Sequence, residues 1–214
     1  EFLQQAWFIA SVTIIPTALV AIPFGAVIAL QVGGLIKQFG AQSFTGSASV
    51  LAVVREAGPI ATSLLIAGAA GSAIAADLGA RKIREELDAL QVLGVDPIKN
   101  LVVPRFLALM LITGLMDIYA LIFGIVGGIG AEMLYNEPLG GFFATLFNNA
   151  SVTDLWGSVL KTTLFGAIIA IVCSYKGMTA SGGAEGVGRA VNEAVVIAFM
   201  GVFAFNYVFT QTLL

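Results

Sequence analysis

The feature that most constrains this chain is its long stretches of apolar residues without a single charge. Residues 2–36 contain no Asp, Glu, Lys or Arg. An α-helix needs roughly 20 apolar residues to cross a hydrocarbon core of about 30 Å, and backbone groups inside lipid must bond within helices or closed barrels. The stretches lack the alternation of barrel strands. The sequence therefore predicts an all-α, polytopic membrane protein.

Five segments have the length and composition of membrane-spanning helices. They cover residues of about 8–36, 57–76, 106–133, 155–175 and 194–214. Only 11% of the residues are charged, against about 25% in a soluble domain, which excludes a soluble globular protein. Pro16 and Pro23 are expected to break or kink the first span.

A helix lying on the outer membrane surface is expected between spans three and four. Loop 134–157 carries large apolar residues at helical spacing, which is typical of an outer interfacial helix. These residues are Phe142, Phe143, Leu146 and Phe147.

The positions of the basic residues indicate the orientation. Most of the ten Lys and Arg residues lie between spans two and three or between spans four and five. They are Arg81, Lys82, Arg84, Lys99, Arg105, Lys176 and Arg189. Because basic residues concentrate on the cytoplasmic side, we expect a cytoplasmic N-terminus and a C-terminus outside.

Composition excludes several kinds of chemistry. Without histidine the chain has neither a Ser-His-Asp triad nor a His-metal site, and one cysteine forms no internal disulfide. A net charge of −3 without a basic tail argues against nucleic-acid binding. Gly183 to Gly188 has P-loop spacing, but Arg189-Ala190 replaces the Lys-Ser/Thr pair. We expect no cofactor and no enzymatic activity in this chain.

Residues 80–93 form the strongly charged stretch of the sequence. Ile83, Leu87 and Leu90 recur at i, i+4 and i+7, which predicts a short amphipathic cytoplasmic helix. Such a helix either rests on the membrane surface or docks onto a partner. Pairs such as Arg81–Glu85 place the base before the acid, the less favourable order for an isolated helix, and this favours docking.

Charged residues near the outer side are the other candidates for function. Arg55, Glu56 and Lys161 either extend to outer headgroups or form a functional site, because ionisable groups at membrane depth are costly unless paired. Asp117 and Glu132 either pack against neighbouring helices or relay protons. An ion-coupled secondary transporter that uses these two carboxylates is therefore an alternative function, and a passive membrane scaffold is another.

Several ordered motifs resemble the MlaE/YrbE permeases, the membrane subunits of MCE-associated ABC lipid transporters. The first block runs from Arg55-Glu56-Ala57-Gly58-Pro59 through Asp77-Leu78-Gly79, Glu85-Glu86-Leu87-Asp88-Ala89-Leu90 and Gly94-Val95-Asp96-Pro97 to Val103-Pro104-Arg105. The second is Gly186-Val187-Gly188-Arg189-Ala190. The resemblance extends over almost the whole chain.

The resemblance implies a single permease domain over residues 1–214, placed in the bacterial plasma (inner) membrane. It would form a dimer, with ABC ATPase subunits that bind ATP and magnesium in the cytoplasm and MCE proteins outside. Its substrate would be a phospholipid, fatty acid or sterol. Helix 80–93 would be the coupling helix, and its ATPase-contacting residues would be Arg84, Glu85, Glu86 and Asp88.

The family's lipid pocket opens outward at the dimer interface. By resemblance its residues here would be Gln31, Leu35, Phe39, Arg55, Glu56, Lys161 and Asn206. Two departures stand out: Ala69-Ala70 replaces an arginine that many members carry, and Asn206 replaces the aspartate of some members. The basic stretch 80–84 is similar to the actinobacterial YrbE branch, whose permeases pair as two different subunits, so a homodimer and a heterodimer both remain open.

Overall fold

The computed structural model describes residues 1–40, 44–134, 140, 143, 145 and 151–213, and within these residues it contains helices and no β-strand. The α-helices of this part are α1 (Phe2–Gln38), α2 (Thr45–Ala52), α3 (Gly58–Ile66), α4 (Ser72–Ile83), α5 (Glu86–Val92), α6 (Val103–Leu134), α7 (Val152–Met178) and α8 (Gly183–Leu213). Five-residue π-helical turns occur at Val53–Ala57, Ala67–Gly71 and Ile98–Val102.

The structure has five helices long and apolar enough to cross a membrane. They are Phe2–Ile36, Gly46–Ile83, Ile98–Leu134, Val152–Met178 and Gly183–Thr212. The predicted all-α fold with five spans is confirmed. The predicted interfacial helix within 134–157 falls largely on residues outside the described ranges, including Phe142, Leu146 and Phe147.

The first span continues through both of its prolines. Pro16 and Pro23 lie inside α1, which runs unbroken from Phe2 to Gln38, so of the two expected outcomes, a break or a kink, the break does not occur. Spanning helices tolerate proline because neighbouring groups can satisfy the carbonyls that lose a backbone donor.

The second span begins at Gly46 rather than near residue 57. Sequence reasoning began the span after Arg55 and Glu56 because charges normally mark the membrane boundary. Instead both residues lie within the helix, in the π-turn Val53–Ala57, and each carries an ion pair that offsets the cost of its burial.

The predicted continuous helix over 80–93 is wrong. α4 ends at Ile83, Glu85 adopts the left-handed conformation with φ 60°, and α5 begins at Glu86. Leu87, in the first turn of α5, is buried. The burial of this side chain is a physical reason for the break. The expected i, i+4 pairs give way to other ion pairs, whose shortest distances are 3.2 Å for Arg81–Asp77, 2.9 Å for Lys82–Asp88 and 2.8 Å for Arg84–Glu86.

The glycine-rich stretch 177–190 is mostly helical rather than a loop. α7 continues to Met178 and α8 begins at Gly183. A side chain at Gly177 would meet the backbone of Ala75 at 2.8 Å, so glycine permits α7 to approach α4 closely.

The chain divides into two compact units. The first comprises Glu1–Thr13, Ser63–Gly114 and Thr162–Leu214. Its α4 packs on α8, and its buried residues include Ile66, Leu78, Leu109, Phe165 and Ile169.

The second unit comprises Ile14–Thr62 and Leu115–Lys161. Its hydrophobic core contains Val50, Val53, Val54 and Leu121, packed against Ile28, Ile125 and Ile129. Here the backbones of α1 and α6 are in contact: a methyl group on Gly127 of α6 would overlap the carbonyl oxygen of Ile22 on α1.

Candidate functional site

A buried lysine lies at the centre of the charged cluster in the second unit. Lys161 is on α7 with 2% of its side chain exposed. Its Nζ donates hydrogen bonds to the backbone oxygen of Arg55 at 3.0 Å and to Glu56 Oε1 at 3.1 Å. Pro59, four residues after Arg55, has no N–H to offer that oxygen in a regular helix. The local sequence thus leaves a carbonyl that the lysine ammonium can bind.

An arginine ties the same π-turn to the start of α7. Arg55 Nε and Nη2 donate to Asp154 Oδ1 at 3.0 and 2.8 Å. The other carboxylate oxygen of Asp154 accepts from the backbone N–H and the hydroxyl of Ser151, at 2.9 and 2.7 Å. The backbone N–H of Asp154 donates back to Ser151 Oγ at 3.2 Å. This reciprocal arrangement is a capping box, so one carboxylate caps a helix and holds Arg55.

A second carboxylate of this unit is held inside the helix bundle. Asp117 on α6 is fully buried and accepts a hydrogen bond from Ser158 Oγ at 2.6 Å. Glu132, also on α6, is buried. The contact with Ser158 accords with the packing interpretation of Asp117, in which the carboxylate joins two neighbouring helices.

The cluster is electrically balanced but unequally accessible. Arg55 and Lys161 face Asp154 and Glu56, one base to each acid. The side chains of Arg55 and Glu56 are 37% and 39% exposed, whereas Lys161 is enclosed. An incoming anion would therefore meet the Arg55 guanidinium first, and Lys161 would hold the π-turn in place beneath it.

The other predicted lipid-binding residues lie on or just after other helices, namely α1 and α8, whereas this cluster lies on the second span and α7. Gln31, Leu35 and Phe39 lie at or just beyond the C-terminal end of α1 with exposed side chains. Asn206 is half-buried on α8, in the first unit. The structure brings Arg55, Glu56 and Lys161 into contact. Sequence reasoning missed Asp154, although the spacing Ser151-Val-Thr-Asp154 before an apolar run is a capping-box signal.

A second charged cluster, in the first unit, was not assigned from the sequence. Arg105 is 3% exposed and donates to Asp77 Oδ2 at 2.5 Å and to the Leu101 oxygen at 3.2 Å. Arg81 Nε lies 3.2 Å from both oxygens of Asp77. The Asp77 carboxylate thus bridges two guanidinium groups. Arginine suits this contact because its planar guanidinium matches the geometry of a carboxylate. The i, i+4 spacing of Asp77 and Arg81 was the available signal.

The predicted ATPase-coupling residues surround the break between α4 and α5. Arg84 and Glu86 are paired with each other, and Asp88 is paired with Lys82. Glu85 is exposed, and its carboxylate forms no ion pair with any residue that the structure describes. Val92 and Leu93, at the end of α5, are strongly exposed. This segment therefore presents one available carboxylate and an apolar tip.

Within the described ranges, no three His, Cys, Asp or Glu side chains converge as a metal site would require. The geometry is that of ion pairs between helices, together with one exposed charged segment.

A family model described as Permease MlaE matches residues 2–212 of the chain. The chain belongs to the MlaE permease family. The resemblance noted in the sequence is thereby confirmed, and with five apolar helices this MlaE-family member is a multi-pass membrane protein.

Relatives of this MlaE-family chain carry consistent names. A probable ABC transporter permease protein of Rickettsia typhi is 33% identical over 99% of this chain and 82% of its own length. One from Synechocystis is 37% identical over 86% of this chain and 70% of its own length. The chloroplastic protein TRIGALACTOSYLDIACYLGLYCEROL 1 of Arabidopsis thaliana is 31% identical over 81% of this chain and 50% of its own length. These findings support a permease subunit of an ABC transporter, a transport component rather than a catalytic one.

Proposed function

We propose that this permease moves lipids across or out of the bacterial plasma membrane, as one half of a dimer that works with ABC ATPase subunits and an outer MCE protein. The observation that carries the proposal is the match of the permease family over nearly the whole chain. A lipid as cargo is supported by the Arabidopsis relative, whose name is that of a galactolipid.

The segment from Arg84 to Leu93 is the proposed contact with the ATPase. Glu86 and Asp88 are engaged by basic residues of the same segment or just before it, so Glu85 is the carboxylate most available to a partner. A left-handed backbone costs a non-glycine residue roughly 1–2 kcal/mol, and such strain persists at functional positions. The exposed Val92 and Leu93 supply apolar surface beside this charge.

The cluster around Lys161 is the proposed headgroup end of the lipid pocket. Arg55 binds an acidic headgroup. Its guanidinium then gives up its ion pair with Asp154, and the two parallel N–H bonds that it donates to a phosphate or carboxylate offset this loss. Leu35 and Phe39 line the path of the acyl chains, while Gln31 supplies a polar contact. ATP and magnesium are held by the partner ATPase, whose motion reaches the spans through the segment at Glu85.

Co-purification of the ATPase tests the contact. Glu85→Lys reverses the charge of the available carboxylate, and Glu185→Lys is a matched control because Glu185 is also an exposed acidic residue on the proposed cytoplasmic side. We expect Glu85→Lys to release the ATPase and Glu185→Lys to retain it. Equal retention by both variants would contradict the proposed coupling segment.

A further inference from the structure

The first unit contains a cavity of about 340 Å³ that the proposed transport pathway does not use. Its walls come from the start of α1, the end of the second span and the start of the third. The lining residues are Gln5, Phe8, Ala73, Ile74, Asp77, Arg81 and Arg105. We propose that this cavity is an anion site for the phosphate group of a phospholipid in the cytoplasmic leaflet.

The charges of the walls favour an anion. Two guanidinium groups, those of Arg81 and Arg105, face the single carboxylate of Asp77, so the lining residues carry one excess positive charge. The carboxylates of Glu1 and Glu86 act on Arg105 and Arg81 from outside the lining. The Arg81 Nη1 lies 3.7 Å from Glu86 Oε2, a loose contact that a phosphate oxygen can replace. Arginine binds phosphate through two parallel N–H bonds, and basic pockets between helices on the cytoplasmic side hold lipid headgroups.

The charged walls are also reachable from outside. Arg105 is buried, but the side chains of Arg81 and Asp77 are 34% and 42% exposed. A buried arginine fixed by Asp77 and the Leu101 oxygen gives the site a rigid back wall. Arg81 is the more exposed of the two arginines, so an entering ligand meets it first.

The arrangement of polar and apolar walls matches a phospholipid better than a free anion. On α1 the apolar Phe8 follows Gln5 by about one turn, and on α4 the apolar Ala73 and Ile74 precede Asp77 by about one turn. With the N-terminus in the cytoplasm, α1 runs outward and the second span runs inward. Both helices then place their apolar lining deeper in the membrane. A phosphate near the surface with its carbon chain directed inward fits this order.

This inference rests on the topology of the proposed function, but its site is a different one. All of its lining residues belong to the first unit, whereas Arg55, Glu56, Asp154 and Lys161 belong to the second. Loss of this site should therefore leave headgroup binding at Arg55 intact.

Native mass spectrometry of the purified permease tests the proposal. The protein is offered equimolar dioleoyl phosphatidylglycerol and dioleoyl phosphatidylcholine, and retained lipids are counted. Arg81→Gln removes a wall cation, while Arg105→Lys keeps the charge and loses the fork. Lys99→Gln is the matched control, because Lys99 is an exposed cation of the same cytoplasmic side outside the cavity lining. Circular dichroism and elution volume verify folding, and if Arg105→Lys unfolds, Arg81→Gln decides alone.

We expect Arg81→Gln to lower phosphatidylglycerol affinity about tenfold, the equivalent of one charge-assisted hydrogen bond, and to reduce the retained phosphatidylglycerol by one per chain. Lys99→Gln should match wild type. Phosphatidylcholine should be retained equally by all variants, because its choline cation offsets the phosphate charge and meets the two arginines unfavourably. Equal phosphatidylglycerol retention by Arg81→Gln and Lys99→Gln would overturn the site. A parallel titration with inorganic phosphate identifies the source of the anion: displacement of the lipid by millimolar phosphate would overturn a phospholipid as the ligand.

Discussion

Replacing Glu56 with Gln removes the charge that faces the Lys161 ammonium while a side-chain oxygen stays in place. The lysine has 2% of its side chain exposed, so it cannot turn to water when its counter-charge is lost. In Lys161→Met the situation is reversed, because the Glu56 carboxylate that remains is 39% exposed and the proposed outward-opening pocket gives it access to water. We therefore expect Glu56→Gln to destabilise the protein more than Lys161→Met.

The size of the effect follows from these exposures. Breaking a fully buried ion pair costs about 3–5 kcal/mol. The exposed side of Glu56 screens this pair, and the amide oxygen of the introduced glutamine still accepts a hydrogen bond. We therefore expect about 1–2 kcal/mol for Glu56→Gln. Lys161→Met takes the lysine donor away from the Arg55 oxygen, so we expect about 1 kcal/mol for that variant. The double variant should resemble Lys161→Met, because the buried charge is then absent.

Cys173 provides the assay. It is the one cysteine of the sequence and is fully buried, so a thiol-reactive fluorescent dye labels it only after unfolding. At about 2–4 °C per kcal/mol for a chain of this size, Glu56→Gln should lower the unfolding midpoint by about 2–8 °C. A larger loss in Lys161→Met, or strictly additive losses in the double variant, would refute the buried-lysine account.

Three further predictions concern packing, strain and the carboxylate on α6. Gly127→Ala should destabilise the protein by at least about 2 kcal/mol, because the added methyl group meets the Ile22 backbone. Gly130→Ala is the control: its methyl group enters open space, so its unfolding midpoint in the same dye assay should be unchanged. Glu85→Gly should stabilise by about 0.5 kcal/mol by relieving the left-handed strain yet release the ATPase; a loss of stability in thermal unfolding would contradict the strain. Asp117→Asn should leave transport dependent on ATP, because the Ser158 hydroxyl can donate its hydrogen bond to an asparagine oxygen as well as to a carboxylate. Loss of a proton-driven flux in this variant would instead favour the ion-coupled alternative.

The spans could be predicted because length and hydropathy alone decide whether a helix fits a bilayer. Their bounds could not, because the second span continues through Arg55 and Glu56. Only the folded chain shows that Asp154 and Lys161 neutralise these charges. Sequence rules treat a charge as a boundary, and partners about a hundred residues away are invisible to them.

The charged stretch 80–93 shows the opposite limit. The stripe of Ile83, Leu87 and Leu90 fits a helix, but the same stripe is compatible with a break at Glu85 that buries Leu87. Periodicity cannot distinguish these outcomes. The residue type at the break gives no signal either, because the left-handed conformation is routine only for glycine and occasional for asparagine and aspartate. Asp77 and Arg105 were visible in the family motifs, but their pairing depends on how the second and third spans pack.

Lipid movement in proteoliposomes that contain the permease and its ATPase tests the central claim most directly. A fluorescent phospholipid in one leaflet should reach an acceptor only with hydrolysable ATP, and Glu85→Lys should abolish this transfer while Glu185→Lys preserves it. Transfer at the wild-type rate without ATP, or driven by an imposed proton gradient, would contradict the account.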